Sequence, residues 1–185
     1  MNILIGGGCK NGKSTLAQHL ARELAGEKLY YIATMEPVDG EDHQRIARHR
    51  REREGWGFET LEQPRHIEKI LERSDPAGTF LLDSITSLLA QEMFLPDGSV
   101  SQEAGSLVTK GLTQLAQATG HLVMVSDAIY SDARQYDSLT QLYRRELAGV
   151  ERAMAALCDC VLEVSAGCVI FHKGREALSG FEAIL

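Results

Sequence analysis

Asn2-Ile3-Leu4-Ile5-Gly6-Gly7-Gly8-Cys9-Lys10-Asn11-Gly12-Lys13-Ser14-Thr15 joins a short apolar run to a glycine-rich turn. Gly7 to Ser14 match the pattern G-x-x-x-x-G-K-[ST], which cradles phosphates when a strand precedes it and a helix follows. Both flanks are right, because Leu16, Leu20 and Leu24 recur at helical spacing after the turn. Glycines let successive main-chain N–H groups turn inward, and the following helix presents its positive end to the same anion. Lys13 is therefore expected to reach the β and γ phosphates, and Ser14 to ligate Mg2+. Gly7, Gly8, Cys9, Lys10, Asn11, Gly12 and Thr15 complete the expected nucleotide cradle.

Beyond the loop, short apolar runs alternate with longer segments of helical period, the order of a mostly parallel sheet with crossover helices. Strands are expected over residues 2–6, 28–33, 79–83, 121–126, 160–164 and 168–172, and helices over 14–25, 41–53, 65–72, 84–94, 102–119 and 139–157. Ser165-Ala166-Gly167 is too short for a parallel crossover, so the last two strands should form an antiparallel hairpin. The expected architecture is an α/β three-layer sandwich of the P-loop NTPase (RecA-like) type. Its sheet is mostly parallel, with an antiparallel C-terminal edge hairpin, and residues 1–185 make a single nucleotide-binding domain.

The 185 residues carry a net charge of -7 with 44% hydrophobic and 24% charged residues, which excludes disordered and collagen-like chains. No run approaches the roughly 20 apolar residues of a membrane span, and the acidic balance argues against general nucleic-acid binding. The start of the chain lacks the basic leader and cleavage site of a signal peptide, so a cytoplasmic protein is expected. The four cysteines form neither a CxxC motif nor zinc-ligand spacing. Arg45, Arg48, Arg50, Arg51 and Arg53 crowd one segment, which reads either as an anion-holding cluster or as a solvated helix face.

Two aspartates end apolar runs on the expected carboxyl edge of the sheet, where ligands of open α/β sheets gather. Asp83 follows Phe80-Leu81-Leu82 and stands where phosphate-loop enzymes hold Mg2+; the alternative is an N-cap for the next helix. Asp127 follows Val123-Met124-Val125-Ser126 and reads equally well as a ligand-facing carboxylate or as a turn aspartate. No Asn-Lys-x-Asp element of switch GTPases is present, so a transferase is the expected class.

An ordered series of motifs then runs through the first half: Gly6-Gly7, Tyr31-Ile32-Ala33-Thr34, Arg45-Ile46-x-x-His49-Arg50, Trp56, Thr60-x-Glu62-x-Pro64 and Leu81-Leu82-Asp83-Ser84-Ile85-Thr86. This series resembles the bifunctional adenosylcobinamide kinase / adenosylcobinamide-phosphate guanylyltransferase family of cobalamin biosynthesis. The resemblance implies phosphorylation of adenosylcobinamide by ATP or GTP, then transfer of GMP from GTP through a guanylylated histidine. It places that nucleophile at His49, with His43 as a rival on residue type alone, and the acidic metal position at Asp83. Glu62 and Arg65 are implied as further nucleotide contacts. It also implies a cobinamide-like corrinoid as partner and a homotrimer as assembly.

The second half departs from the family pattern. Asp127-Ala128-Ile129-Tyr130 stands where the family shows Asn-Glu-Val-Gly, and Glu151-Arg152 where it shows Asn-Gln. Lys10-Asn11 replace the family's Arg-Ser within the phosphate loop. A small-molecule kinase without guanylyl transfer and a non-catalytic nucleotide-binding regulator remain as alternatives.

Overall fold

The computed structural model describes residues 1–184 except Val38, Asp39 and Ser131; for Glu41, Asp42, His43, Arg45, His49 and Glu52 it describes the backbone alone. The elements, in order, are β1 (Asn2–Gly7), α1 (Lys13–Glu23), β2 (Leu29–Ala33), α2 (Gly40–Glu52), β3 (Glu59–Glu62), β4 (Thr79–Asp83), α3 (Ile85–Met93), α4 (Ala104–Ala118), β5 (His121–Val125), α5 (Ser138–Leu157), β6 (Cys160–Ser165) and β7 (Cys168–Lys173). Short 3-10 segments cover Ile67–Glu72 and Arg175–Leu178.

All seven strands join one sheet in the order β3-β2-β4-β5-β1-β6-β7. Every neighbouring pair is parallel except β6 and β7. The hairpin turns at Ala166 and Gly167, with φ of 50° and 79°, the left-handed backbone that tight hairpin turns require.

Side chains alternate along each strand between two cores. Ile3, Ile5, Tyr31, Leu81, Val123 and Val125 meet Leu16, Ala17 and Leu20 of α1 on one face. Leu4, Ile32, Phe80, Leu82, Leu122 and Met124 meet α3, α4 and α5 through Leu88, Leu112, Leu147 and Met154 on the other. Each such buried side chain stabilises the fold by roughly 1.5–3 kcal/mol. Caps define the helix starts: the Ser84 hydroxyl accepts from Ser87 N–H at 3.2 Å, and the Asp137 carboxylate accepts from Leu139 and Thr140 N–H at 3.0 and 2.9 Å.

Two elements differ from the sequence reading. β3 was not expected, because Glu59-Thr60-Leu61-Glu62 buries only Leu61 and edge strands need little apolar pattern. The helix expected over 65–72 is a 3-10 segment starting two residues later. Pro64 precedes it, and His66 sits at φ 52°, a conformation that does not continue an α-helix.

Candidate functional site

The phosphate loop leaves β1 at its carboxyl end and enters α1 through Gly12, whose φ is 92°. Gly7 has φ 144°, and a Cβ there would stand 2.4 Å from the Val164 carbonyl oxygen of β6. Only glycine permits this approach of β1 to its neighbour at the mouth of the loop. The loop is stitched on both sides: Asn11 Nδ2 donates to Val164 O at 3.1 Å, and Ala128 N–H donates to Gly7 O at 2.8 Å. Cys9 and Lys10 are exposed on the outer turn and Thr15 is exposed on α1, whereas Ser14 is half-buried.

Lys13 is only 5% exposed. Its Nζ donates to Gly8 O at 2.7 Å and pairs with Asp127 Oδ1 at 2.9 Å. The turn aspartate considered at position 127 is thus a direct partner of the loop lysine. This follows from topology, since β5 lies between β1 and β4 in the sheet and delivers residue 127 beside the loop. Asp127 N–H in turn donates to Thr86 Oγ1 at 2.8 Å.

Asp83 ends β4, one strand further from the loop. Ser84, not Asp83, caps α3, so the capping alternative for Asp83 is corrected. Asp83 Oδ2 accepts from Tyr31 Oη–H at 3.0 Å. Thr34 Oγ1 donates to Ser84 O and accepts from Ser84 N–H, both at 2.9 Å, which ties the end of β2 to the end of β4.

Between α2 and the ends of β2, β3 and β4 lies a cleft of about 540 Å3, lined among others by Tyr31, Arg50, Arg53, Glu62, Asp83 and Ser87. Arg53 is 6% exposed. Its guanidinium sits 3.7 Å from the Tyr31 ring centroid and donates to Thr60 Oγ1 at 3.2 Å. Burial lowers its pKa and the neighbouring Arg50 charge lowers it further, partly offset by the Tyr31 hydroxyl and the Asp83 carboxylate that it faces. Arg50 pairs with Glu62 at 2.8 Å on the open side. Trp56 anchors the chain after α2 to α1, with its ring 4.8 Å from that of His19 and 5.1 Å from the Arg22 guanidinium.

Glu62 lines the cleft, whereas Arg65 stands next to it, paired with the cleft-lining Glu36. Arg65 donates to Gln91 O and Oε1 at 2.8 and 3.1 Å and pairs with Glu36 at 3.1 Å. His49 belongs to α2, whose helical backbone matches the sequence reading, but its side chain lies outside the described residues, as do those of His43 and Arg45. Sequence reasoning left Tyr31 and Arg53 out of the site and did not foresee the Lys13 to Asp127 pair. The clue for Arg53 was its place in the arginine-rich segment; for Tyr31 it was its place in the Tyr31-Ile32-Ala33-Thr34 motif.

The Ser14 hydroxyl and Asp83 carboxylate are hard oxygen donors that suit Mg2+, which keeps several waters and takes one or two protein oxygens beside substrate phosphates. Among the described residues no group of three or more His, Cys, Asp or Glu side chains forms a separate metal site. No helix among them is long and apolar enough to cross a membrane.

A mostly parallel sheet with a phosphate loop after an interior strand and a strand-end aspartate two strands away defines a phosphate-loop α/β nucleotide-binding protein. The KaiC-like protein PH0186 from Pyrococcus horikoshii OT3 shares this fold at a TM-score of 0.52 and 17% identity, over 95% of this chain and 80% of that one. The chain belongs to the cobinamide kinase / cobinamide phosphate guanyltransferase family, whose model matches residues 3–171, and is accordingly a transferase. It is 32% identical over 177 residues to the bifunctional adenosylcobalamin biosynthesis protein CobP of Pseudomonas aeruginosa PAO1, covering 95% of this chain and 99% of that protein. It is also 32% identical over 96 residues to the bifunctional adenosylcobalamin biosynthesis protein CobU of Escherichia coli K12, covering 51% of each.

Proposed function

We propose that this protein phosphorylates the aminopropanol hydroxyl of adenosylcobinamide with a nucleoside triphosphate. It then transfers GMP from GTP to the new phosphate by way of guanylylated His49. The observation that supports this reading best is the arginine-lined cleft under α2, at the same carboxyl edge of the sheet as the phosphate loop. Family membership supplies the reaction class.

In this reading residues 7–15 cradle the triphosphate, with Lys13 on its β and γ groups. Ser14 and Asp83 hold Mg2+, which offsets phosphate charge when bound. His49 belongs to α2, the helix that brings Ile46 and Arg50 to the cleft, and Arg53 lines the cleft just after it. A neutral imidazole nitrogen attacks the α-phosphorus of GTP, so that a P–N bond forms and pyrophosphate leaves. The phosphate of the acceptor then attacks the same phosphorus, the P–N bond breaks and the imidazole is restored. Arg50 and Arg53 offset charge on the transferring group. Glu62 contacts the nucleotide from the cleft wall, and Arg65, held by Gln91 and the cleft-lining Glu36, is a further nucleotide contact.

The test is incubation of the full chain with adenosylcobinamide, Mg2+, ATP and GTP, with corrinoid products resolved by mass. The expected products are the phosphate and then its GDP derivative. Phosphate without the GDP derivative would leave a kinase alone, and neither product would overturn the reading.

A further inference from the structure

We propose that Tyr31 is a positioning residue for the metal-holding carboxylate: its hydroxyl fixes Asp83 so that one carboxylate oxygen is kept for the Mg2+ that accompanies the triphosphate. The inference rests on the reading above in which Ser14 and Asp83 hold that ion. Asp83 Oδ2 accepts from the Tyr31 hydroxyl at 3.0 Å. Asp83 Oδ1 accepts no hydrogen bond and joins no ion pair among the described residues.

Strand register brings the two side chains together. Tyr31 stands opposite Leu81 on β4, and Ala33 opposite Asp83; side chains two residues apart on a strand share one face of the sheet. Tyr31 and Leu81 both belong to the core under α1, so Asp83 lies on that same face, the one covered by the helix that carries Ser14. Its backbone has little freedom, because Ala33 and Val125 flank it in the sheet and the Thr34 hydroxyl bonds both the N–H and the C=O of Ser84. Strand pairing leaves open only the turn of the carboxylate itself, a torsion with a broad, roughly two-fold preference. The Tyr31 hydroxyl sets that turn.

The hydroxyl is itself held. Tyr31 is 5% exposed; the Phe58 ring stands perpendicular to its own with centroids 6.2 Å apart, and the Arg53 guanidinium lies 3.7 Å from its centroid. Arg53 donates to Thr60 Oγ1 and forms no ion pair with Asp83, so the carboxylate is left to an added cation. Groups that orient a metal ligand through its other atom are worth roughly 10–100-fold in metal affinity. Tyr31 acts in this way through Asp83 and needs no contact with the ion. A tyrosine hydroxyl that only satisfies itself on burial would contribute to folding and leave metal affinity unchanged.

The experiment measures the affinity of the protein–ATP complex for Mn2+, a paramagnetic stand-in for Mg2+, by loss of the free-ion resonance signal. It uses the full wild-type chain, Tyr31→Phe, Tyr30→Phe and Asp83→Asn, with metal-free ATP affinity read by calorimetry and folding by urea melts. Tyr31→Phe keeps the ring beside Arg53 and removes only the hydroxyl. Tyr30→Phe removes the neighbouring buried hydroxyl, which accepts from Asp75 N–H at 3.0 Å in the opposite core, and so controls for the loss of a tyrosine hydrogen bond from β2. The expected result is Mn2+ affinity about tenfold weaker for Tyr31→Phe and within about threefold of wild type for Tyr30→Phe, with metal-free ATP affinity unchanged in both. Wild-type Mn2+ affinity in Tyr31→Phe beside a clear loss in Asp83→Asn overturns the proposal, even where the urea melt of Tyr31→Phe shifts. So does an equal loss in Tyr30→Phe, which would make the effect one of strand stability. Asp83→Asn that binds Mn2+ as tightly as wild type fails the metal reading itself, and the role of Tyr31 with it.

Discussion

In the phosphate loop the groups that meet an anion are main-chain N–H groups of consecutive residues, whereas the cleft under α2 is built from side chains of α2, β2, β3 and β4. The loop takes its shape from local geometry, with Gly7 and Gly12 at positive φ and Lys13 folded back on Gly8, and distant residues only pin it in place, as Val164 does through Asn11. The cleft depends on long-range stacking, in which Arg53 covers Tyr31 and Tyr31 holds Asp83. A main-chain cradle binds any phosphate chain; a side-chain cleft can distinguish one nucleotide or acceptor from another. In the proposed function, general affinity belongs to the loop and selectivity to the cleft.

The largest expected effect falls on the loop. Lys13→Ala should slow both transfers by about 10²–10³-fold, the loss typical of a preorganised charge at a transition state, read by product formation from ATP and from GTP. If only one transfer falls, the loop and the cleft serve separate nucleotides. Next comes the cleft: Arg53→Ala should raise the KM for GTP by about tenfold, with Arg53→Lys recovering only part, because an ammonium lacks the planar fork that both stacks on Tyr31 and reaches Thr60. Equal behaviour of the lysine and alanine variants would show that charge contributes nothing there.

A smaller effect concerns the wall behind the loop. Ser126 Oγ–H donates to Glu151 Oε1 at 2.6 Å, and burial raises the Glu151 carboxyl above its ordinary 4.5, with the nearby Asp127 charge adding to the rise. A raised carboxyl binds its proton more tightly in the folded chain than in the unfolded one. Stability from this group is therefore present below pH 4.5 and lost as pH rises through the raised value. Glu151→Gln should remove that slope, so its melting temperature should exceed wild type most clearly at the alkaline end of a pH series. The smallest effect belongs to the open pair Arg50 and Glu62, whose side chains are 57% and 70% exposed. Glu62→Ala should change folding stability by less than about 1 kcal/mol in urea melts.

The same contrast explains what could be read from the residues. The loop, the parallel strands and the closing hairpin depend on contiguous patterns, and all stand where Asn2 to Thr15, the apolar runs and Ser165-Ala166-Gly167 place them. The cleft depends on contacts between distant segments. Nothing local distinguishes Arg53 from Arg51, or marks Tyr31 as the partner of residues 53 and 83. Asp127 offered two equal readings because its meaning comes from β5 lying beside β1, a matter of strand order and not of neighbouring residues. Glu59 to Glu62 escaped notice because an edge strand with one buried residue carries almost no periodic signal.

The central claim is that a covalent guanylyl step takes place on α2. Its most direct test is the intact mass of the protein after incubation with GTP and Mg2+, beside His49→Ala and an ATP control. The account predicts one added GMP on the wild-type chain with GTP and none on His49→Ala. An adduct that survives in His49→Ala, or no adduct on wild-type protein that still binds GTP, would contradict it.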